Sequence, residues 1–296
     1  MNPYVKYPTI NPIRMFQDGV GRFFYDAIPP MEQANGYQQP FNYSDILHLQ
    51  FQTVNSKANI SAAFYDIEGV QVSTVACDKI PGTVNYPGYY QYKIYTDFSL
   101  LTEGFYELRV TFNIAAYDPI VFRSEPLHVK AEHEDTILIQ YTHPVNDFDI
   151  LFTADQDYFN LRIKGGLPSD GYSPGGKFSM FEDFDYTPKM LQAIPFDVWK
   201  FTFGGNYGLP NYLVQKINLI FALKQTFING SGYMRNEGAK LEAIERDHFY
   251  PLTAWTMELL ANPLDYVTPG NFTEKTVDLM TLTVDDLQYH VDQLYI

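Results

Sequence analysis

The side chains best suited to chemistry are the six histidines, at positions 48, 128, 133, 143, 248 and 290, and the acidic residues near them. The closest grouping is His133-Glu134-Asp135, with His143 a short way along the chain. A protein zinc site needs three or four imidazole, thiolate or carboxylate ligands at tight spacing. This grouping places one histidine beside two acids, which is typical of a solvated linker, so the sequence predicts no metal site.

The acidic run Glu182-Asp183-Phe184-Asp185 is the second candidate for chemistry. Paired carboxylates serve general acid–base catalysis, and carboxylate-rich loops also bind calcium. The run lacks the alternating Asp-x-Asp-x-Asp-Gly order of a calcium loop. Acidic loops are ordinary in a chain with 35 acidic and 20 basic residues. We therefore interpret the run as a solvated surface loop.

Two further patterns resemble parts of active sites. Gly204-Gly205-Asn206-Tyr207-Gly208 precedes a predicted helix, as phosphate-binding loops do, but no Gly-Lys-Ser/Thr sequence follows, and we interpret it as a tight turn. The single cysteine, Cys77, is not flanked by a basic residue that would lower its thiol pKa. No Gly-x-Ser-x-Gly nucleophile elbow occurs. The sequence therefore predicts a protein that is not an enzyme, with no catalytic residues and no cofactor.

Aromatic residues form the remaining candidate site. The segment Tyr86-Pro87-Gly88-Tyr89-Tyr90 places three rings in one predicted loop. Such rings stack on the faces of sugars, and they also serve as anchors in protein–protein interfaces. Both interpretations stay open, so Tyr86, Tyr89 and Tyr90 are predicted to contact either a surface glycan or a protein partner.

The composition narrows the class of protein. Tyr and Phe are abundant, at 24 and 23 residues, whereas charged residues make up only 19% of the chain, below the roughly 25% of typical soluble domains. A surface rich in Tyr and poor in charge favours contact with partners. The net charge of −15 and the lack of basic runs argue against nucleic-acid binding. Neither a signal peptide nor a membrane span is evident, so we expect synthesis in a cytoplasm and no membrane insertion.

Short alternating strands predict an immunoglobulin-like β-sandwich over residues 41–133. The first strand, 46–54, places His48, Gln50 and Gln52 on one face and apolar side chains on the other. Further strands are predicted at 60–65, 70–76, 89–95 and 120–129. The spacing Leu101, Gly104, Tyr106 is typical of the tyrosine corner of such sandwiches, in which the phenol bonds back to the backbone.

A second β-rich domain is predicted over residues 134–263. Its helix begins at Pro210 and extends to about residue 222, with apolar side chains at three- and four-residue spacing. Its strands are predicted at 136–141, 148–153, 159–164, 199–203, 226–228, 233–234, 241–245 and 252–260, with loops at 165–166 and 173–176. The fold class is therefore mainly β, with one inserted helix and a short C-terminal helix.

The two ends of the chain carry apolar side chains without enough chain around them for a core. Residues 1–40 are predicted to form an extended arm, because prolines interrupt them repeatedly. Residues 264–296 are predicted to form a tail with a short helix capped by Thr283. Either segment docks on its own chain or on a neighbouring subunit, and the contact residues predicted for the second case are Phe16, Phe23, Phe24, Leu287 and Val291.

Several segments carry a resemblance to a protein family. They are Ser44-Asp45-Ile46, Arg123-Ser124-Glu125-Pro126, Leu138-Ile139-Gln140-Tyr141-Thr142, Asn146-Asp147-Phe148, Phe159-Asn160-Leu161-Arg162-Ile163-Lys164-Gly165-Gly166, Gly208-Leu209-Pro210-Asn211-Tyr212 and Lys216-Ile217-Asn218. They look like segments of uncharacterised virion proteins encoded by tailed phages and prophages of Bacteroides-type bacteria.

The resemblance implies a structural role. It implies a tail or baseplate component of the virion, assembled in the host cytoplasm, which contacts other virion proteins and forms a homo-oligomeric ring. The motifs define a fold and name no site residues. A carbohydrate-binding, receptor-binding accessory of the same particle is the alternative function.

Overall fold

The computed structural model describes residues 5–18, 37–54, 58–81, 89–115, 117–145, 148–152, 158–182, 184, 186, 188–205, 208–244 and 252–261. This part of the chain is mainly β, with one α-helix, α1 (Asn211–Ile220), and a short 3-10 helix at Ser169–Gly171. The predicted mainly β fold class is confirmed. The predicted C-terminal helix lies outside the described residues.

In chain order the strands are β1 Val5–Lys6, β2 Met15–Gln17, β3 Gln39–Asn42, β4 Ile46–Thr53, β5 Asn59–Asp66, β6 Gln71–Val75, β7 Cys77–Lys79, β8 Tyr90–Asp97, β9 Gly104–Asn113, β10 Ile120–Ser124, β11 Leu127–Lys130, β12 Thr136–Thr142, β13 Phe159–Gly166, β14 Tyr172–Glu182, β15 Pro188–Phe203, β16 Gln225–Ile228, β17 Ser231–Arg235, β18 Glu242–Ile244 and β19 Ala254–Ala261.

Strands β1 to β11 form two sheets around one hydrophobic core. One sheet has the order β1-β4-β8-β7, and in the other β5, β9 and the β10–β11 pair are neighbours, with β6 beside β5. These orders correspond to the ABED and CFG sheets of the immunoglobulin fold. Strand β3 adds to β11 in parallel at the edge of the second sheet. The core is filled by inward-facing side chains, among them Phe41, Leu47, Leu49, Phe51, Ile94, Phe98, Leu108, Val110 and Phe112.

The tyrosine corner is present at the start of β9. Tyr106 is 5% exposed, and its hydroxyl donates to the Thr102 carbonyl oxygen at 2.9 Å. The hydroxyl also lies 3.0 Å from Thr102 Oγ1. This bond fixes the chain where it turns from one sheet into the other.

The last strand of the sandwich is interrupted at Glu125-Pro126, which separates β10 from β11. Proline cannot donate a ladder hydrogen bond, so a break at this point is expected. The segments on either side take different partners, since β10 pairs antiparallel with β2 and β11 pairs parallel with β3. In the gap, the Glu125 amide donates to Arg14 O at 3.0 Å. The break therefore receives the N-terminal residues of the chain.

The second group of strands forms an antiparallel sheet that closes on itself. Its order is β14-β15-β13-β12-β16-β17-β19-β18, and β15 also pairs with β19. Six strands, from β15 through β13, β12, β16 and β17 to β19, thus form a closed ring of pairings without an open edge. Helix α1 packs on this sheet through Leu213, Ile217 and Ile220, all fully buried. No helix in the described part of the chain is long and apolar enough to cross a membrane.

Three predictions for the second domain are wrong. Residues 165–166, predicted as a loop, are the end of β13, where they pair with Phe203 and Thr202 of β15. Residues 173–176, predicted as a loop, lie within β14, where Gly175 faces Phe196 across the ladder. A Cβ at Gly175 would lie 2.5 Å from the Phe196 ring, so glycine permits the ring to pack there. The described residues of the predicted strand 148–153 form a turn and an irregular segment, in which Phe148 and Asp149 have φ of 52° and 62°.

The N-terminal residues are part of the folded body. Residues 5–17, predicted as part of an extended arm, contribute β1 to the first sheet and β2 to the second. Between these strands Ile10 is buried in the core of the closed sheet and Ile13 in the core of the sandwich, both at 0% exposure. Residues 7–15 therefore connect the two cores of a single compact unit that contains all the described residues.

We expect replacement of Tyr106 by Phe to destabilise the protein by about 0.5–1.5 kcal/mol, because the buried phenol loses its hydrogen bond to the Thr102 carbonyl oxygen. Urea denaturation of Tyr106→Phe against wild type measures the difference. Tyr117→Phe is the matched control, since Tyr117 is 40% exposed and should change stability by less than about 0.5 kcal/mol. Equal effects of the two substitutions would contradict a stabilising corner.

Candidate interaction surfaces

The histidine cluster predicted as the best metal candidate is only partly assembled. His133 lies beside His128, with its Nε2 atom 2.9 Å from His128 O and the ring centroids 4.8 Å apart. Burial lowers the pKa of His128 to about 4. His143 lies elsewhere and accepts from the Lys224 amide through Nδ1 at 3.2 Å. The described residues contain no group of three His, Cys, Asp or Glu side chains able to hold a metal.

The glycine-rich turn at residues 204–208 and Cys77 are the other candidates for chemistry, and the fold accounts for both. A Cβ at Gly208 would meet the Leu252–Thr253 backbone at 2.4–2.5 Å, so this glycine allows two backbone segments to approach closely. Leu209 and Thr253 pair in an isolated bridge at that point. Burial and the neighbouring Asp78 carboxylate raise the pKa of Cys77 to about 12, which keeps the thiol protonated. Neither feature provides an activated group.

Glu182, the first residue of the acidic run, is the last residue of β14 in a long hairpin, which we call the ribbon (β14 and β15, residues 172–203). Residues 198–203 of β15 pair with β19, and the ladder between β14 and β15 continues from there to Glu182 and Pro188. In the described pairings, residues 188–197 have β14 as their one neighbour. At about 3.3 Å per residue the ribbon extends about 30 Å past the closed sheet.

The described residues of the ribbon tip expose apolar side chains on both faces. Met180 and Phe181 are adjacent in β14, so they point to opposite faces, and they are 68% and 53% exposed. Phe184, Tyr186 and Met190 are 95%, 81% and 61% exposed. With about 200 Å² for each such side chain, these five residues together expose on the order of 700 Å² over the two faces of the ribbon.

The second surface is a groove between residues 7–15 and α1, which we call the arm–helix groove. It encloses about 350 Å³, and its apolar walls include Ile13, Met15 and Leu219. Two cations line it. The Arg14 guanidinium lies between the rings of Phe16 and Tyr212, 4.6 and 4.7 Å from their centroids, and Lys216 Nζ donates to Pro12 O at 2.8 Å.

Behind this groove a carboxylate is fully enclosed. Glu125 Oε1 accepts from the Arg14 amide at 2.7 Å, and Oε2 accepts from the Tyr212 hydroxyl. Burial raises the pKa of Glu125 and lowers the pKa of Lys216 to about 8, while their mutual attraction opposes both shifts. Glu125 belongs to the sandwich and bonds the Arg14 amide, whereas Lys216 belongs to α1 and bonds the Pro12 carbonyl. Residues 12–14 are therefore held by both halves of the molecule.

The residues predicted as partner or glycan contacts are distributed among several places. Phe16 is half-buried in β2, under Arg14. Tyr89 and Tyr90 are half-buried at the start of β8, and the Lys79 ammonium covers the Tyr90 ring at 4.3 Å. Tyr86, Phe23, Phe24, Leu287 and Val291 lie outside the described residues. The structure does not bring Phe16 together with Tyr89 and Tyr90.

Sequence reasoning missed both surfaces. The ribbon was not predicted because Pro174, Gly175 and Gly176 are typical of loops. The apolar residues Phe178 and Met180, two positions apart, could have indicated a strand. The groove depends on residues more than a hundred positions apart in the chain, such as Arg14 and Tyr212, and no local pattern encodes such contacts.

The comparisons with known proteins assign no family. The chain matches no protein-family model, and no curated protein and no solved structure is significantly similar to it.

We expect Ile10→Ala and Ile13→Ala each to destabilise the protein by about 2–5 kcal/mol, because each removes a fully buried side chain from a packed core. Thermal and urea denaturation measure the loss. Ile67→Ala is the matched control, since Ile67 is 63% exposed. Deletion of residues 1–17 should lower the melting temperature of the isolated chain much further. An unchanged melting temperature would mean that this segment contributes nothing to its own chain.

The buried Lys216 predicts a pH dependence of stability. Between about pH 8 and the ordinary value of 10.5, the unfolded chain binds a proton that the folded chain has lost, so the Lys216 contribution to stability increases with pH. Lys216→Met lacks this increase. The difference in free energy of unfolding, wild type minus variant, should therefore rise by on the order of 3 kcal/mol across this window. Urea titrations at several pH values measure it, with the exposed Lys224→Met as control, and a constant difference would contradict the assignment.

Proposed function

We propose that this protein is a structural subunit of a phage virion, a tail or baseplate component that acts through protein–protein contacts. The observation that carries the proposal is the ribbon, whose apolar tip extends about 30 Å past the closed sheet. The role of a virion subunit comes from the resemblance of the sequence to phage virion proteins.

The physical argument concerns the stability of a two-stranded ribbon. Such a ribbon is at best marginally stable in water unless a third strand or a packed face supports it. Here the outer part has neither among the described residues, and it exposes Met180, Phe181 and Tyr186. A partner that covers the tip removes apolar area comparable to one side of a standard interface, about 800 Å². The ribbon is therefore suited to completion by a neighbouring molecule.

The carbohydrate-binding alternative depends on Tyr86, Tyr89 and Tyr90. The face of the Tyr90 ring is occupied by Lys79, and sugar stacking needs an accessible ring face. The tip rings of the ribbon are more exposed than Tyr89 and Tyr90. These observations favour the protein-contact function, and glycan binding stays a second prediction.

The proposal predicts that the chain is present in purified virions and that the ribbon is needed for its incorporation. Virions from a host that carries the gene are banded by density and analysed by quantitative mass spectrometry. Wild-type chain should band with the particles in several copies, and a variant with residues 179–190 replaced by a short Gly-Ser turn should be lost from them.

The control is the melting temperature of the shortened variant, which should stay near that of the wild type because none of the described residues between 179 and 190 belongs to either core. Absence of the wild-type chain from banded particles would overturn the proposed function. Full incorporation of the shortened variant would overturn the role of the ribbon.

A further inference from the structure

We propose that the ribbon tip of one subunit docks in the arm–helix groove of a second copy of this chain. The inference rests on the proposed function, since it names the partner of the ribbon. The tip and the groove are different surfaces, so the contact is heterologous, and repetition of a heterologous contact produces either a closed ring or a filament.

Opposite charge supports this pairing. Glu182 is exposed at the end of β14, and the sequence that joins β14 to β15 adds Asp183 and Asp185, with Lys189 the nearby cation in the sequence. The groove is lined by the half-buried Arg14 and by Lys216, which is 5% exposed and donates to Pro12 O, and the buried Glu125 carboxylate lies behind them. In a chain of net charge −15, a cationic groove with apolar walls is an unusual surface, and complementary charge both steers and orients association.

Size is the second argument. The groove encloses about 350 Å³, at the lower end of small-ligand pockets, so it accepts one or two large side chains rather than a whole strand. The apolar walls at Ile13, Met15 and Leu219 match the exposed rings of Phe184 and Tyr186 at the turn of the ribbon. Insertion of these rings between the apolar walls would bring the Glu182 carboxylate toward the Arg14 guanidinium.

Two alternative partners for the tip carry the wrong charge. The turn between β5 and β6 exposes Ile67 and Val70, at 63% and 58%, but Asp66 and Glu68 lie in the same turn. Contact between two tips would bring two sets of turn carboxylates together. Like charges at close range oppose both arrangements, whereas the arm–helix groove attracts the tip.

The test uses two variants of the full chain. The tip variant is Phe184→Ser with Tyr186→Ser, and the groove variant is Thr9→Glu with Gln215→Glu, which adds negative charge at two exposed lining positions. Sedimentation velocity over a range of protein concentrations should show wild-type association, weakened at least tenfold in each variant. Circular dichroism and urea denaturation should show that both variants keep the wild-type fold.

Mixing the two variants distinguishes a heterologous contact from other contacts. The tip variant still has an intact groove and the groove variant an intact tip, so a mixture should form one-to-one dimers and no larger species. A charge exchange provides a second test. The Glu182→Lys variant should associate more weakly with the wild-type groove, and association should be restored when its partner is the groove variant.

Three results would overturn the inference: a wild-type chain that stays monomeric at all concentrations, variants that associate like wild type, or a mixture that forms no dimers. If the wild-type chain stays monomeric but still needs the ribbon for incorporation into virions, the tip binds a different virion protein. That outcome leaves the proposed function intact, whereas absence from virions with normal self-association would refute only the proposed function.

Discussion

Strand β4 is the element on which the rest of the structure depends, because both of its faces are buried. Its apolar face enters the sandwich core through Leu47, Leu49 and Phe51, and its polar face contacts the second half of the molecule. There Gln50 donates to Leu151 O at 2.8 Å and accepts from Leu151 N at 2.9 Å, while Gln52 donates to Asp149 O. A buried polar side chain is costly unless its hydrogen bonds are satisfied, so this junction specifies one arrangement of the two halves.

The same junction is extended by the N-terminal residues and by one ion pair. The Asn11 side chain bonds both the amide and the carbonyl of Gln50, and so replaces a neighbouring strand where β1 has ended. Asp45 and Arg162, both buried, form a two-pronged pair at 2.5 and 2.7 Å between the sandwich and β13. Removal of one partner of such a pair typically costs about 3–5 kcal/mol, because the other charge stays buried. The two halves therefore behave as one compact body.

The sequence allowed prediction of the sandwich but not of the junction. Alternation located β4, β5 and β8 to within a few residues, and the local spacing before Tyr106 indicated the tyrosine corner. The segment 148–153 was mistaken for a strand because its apolar composition is typical of one. Its backbone instead bonds to glutamine side chains about a hundred residues earlier in the chain, and no local pattern reveals such a partner. The placement of His48, Gln50 and Gln52 on one face of β4 was predicted correctly. These side chains are buried because the second half of the molecule packs on that face, which the sequence does not indicate.

Closure of the second sheet determines how the ribbon is anchored. The six strands that pair in a ring offer no edge to a foreign strand, whereas the sandwich sheets and β18 keep edges in the described pairings. Strand β15 belongs to that ring through its pairing with β19, and its other end continues away from the ring with β14. The base of the ribbon is thereby anchored in the most regular part of the molecule, and its tip is kept about 30 Å from it. Rigid anchorage lowers the entropy lost when the tip is bound, which makes a protruding hairpin an effective contact element.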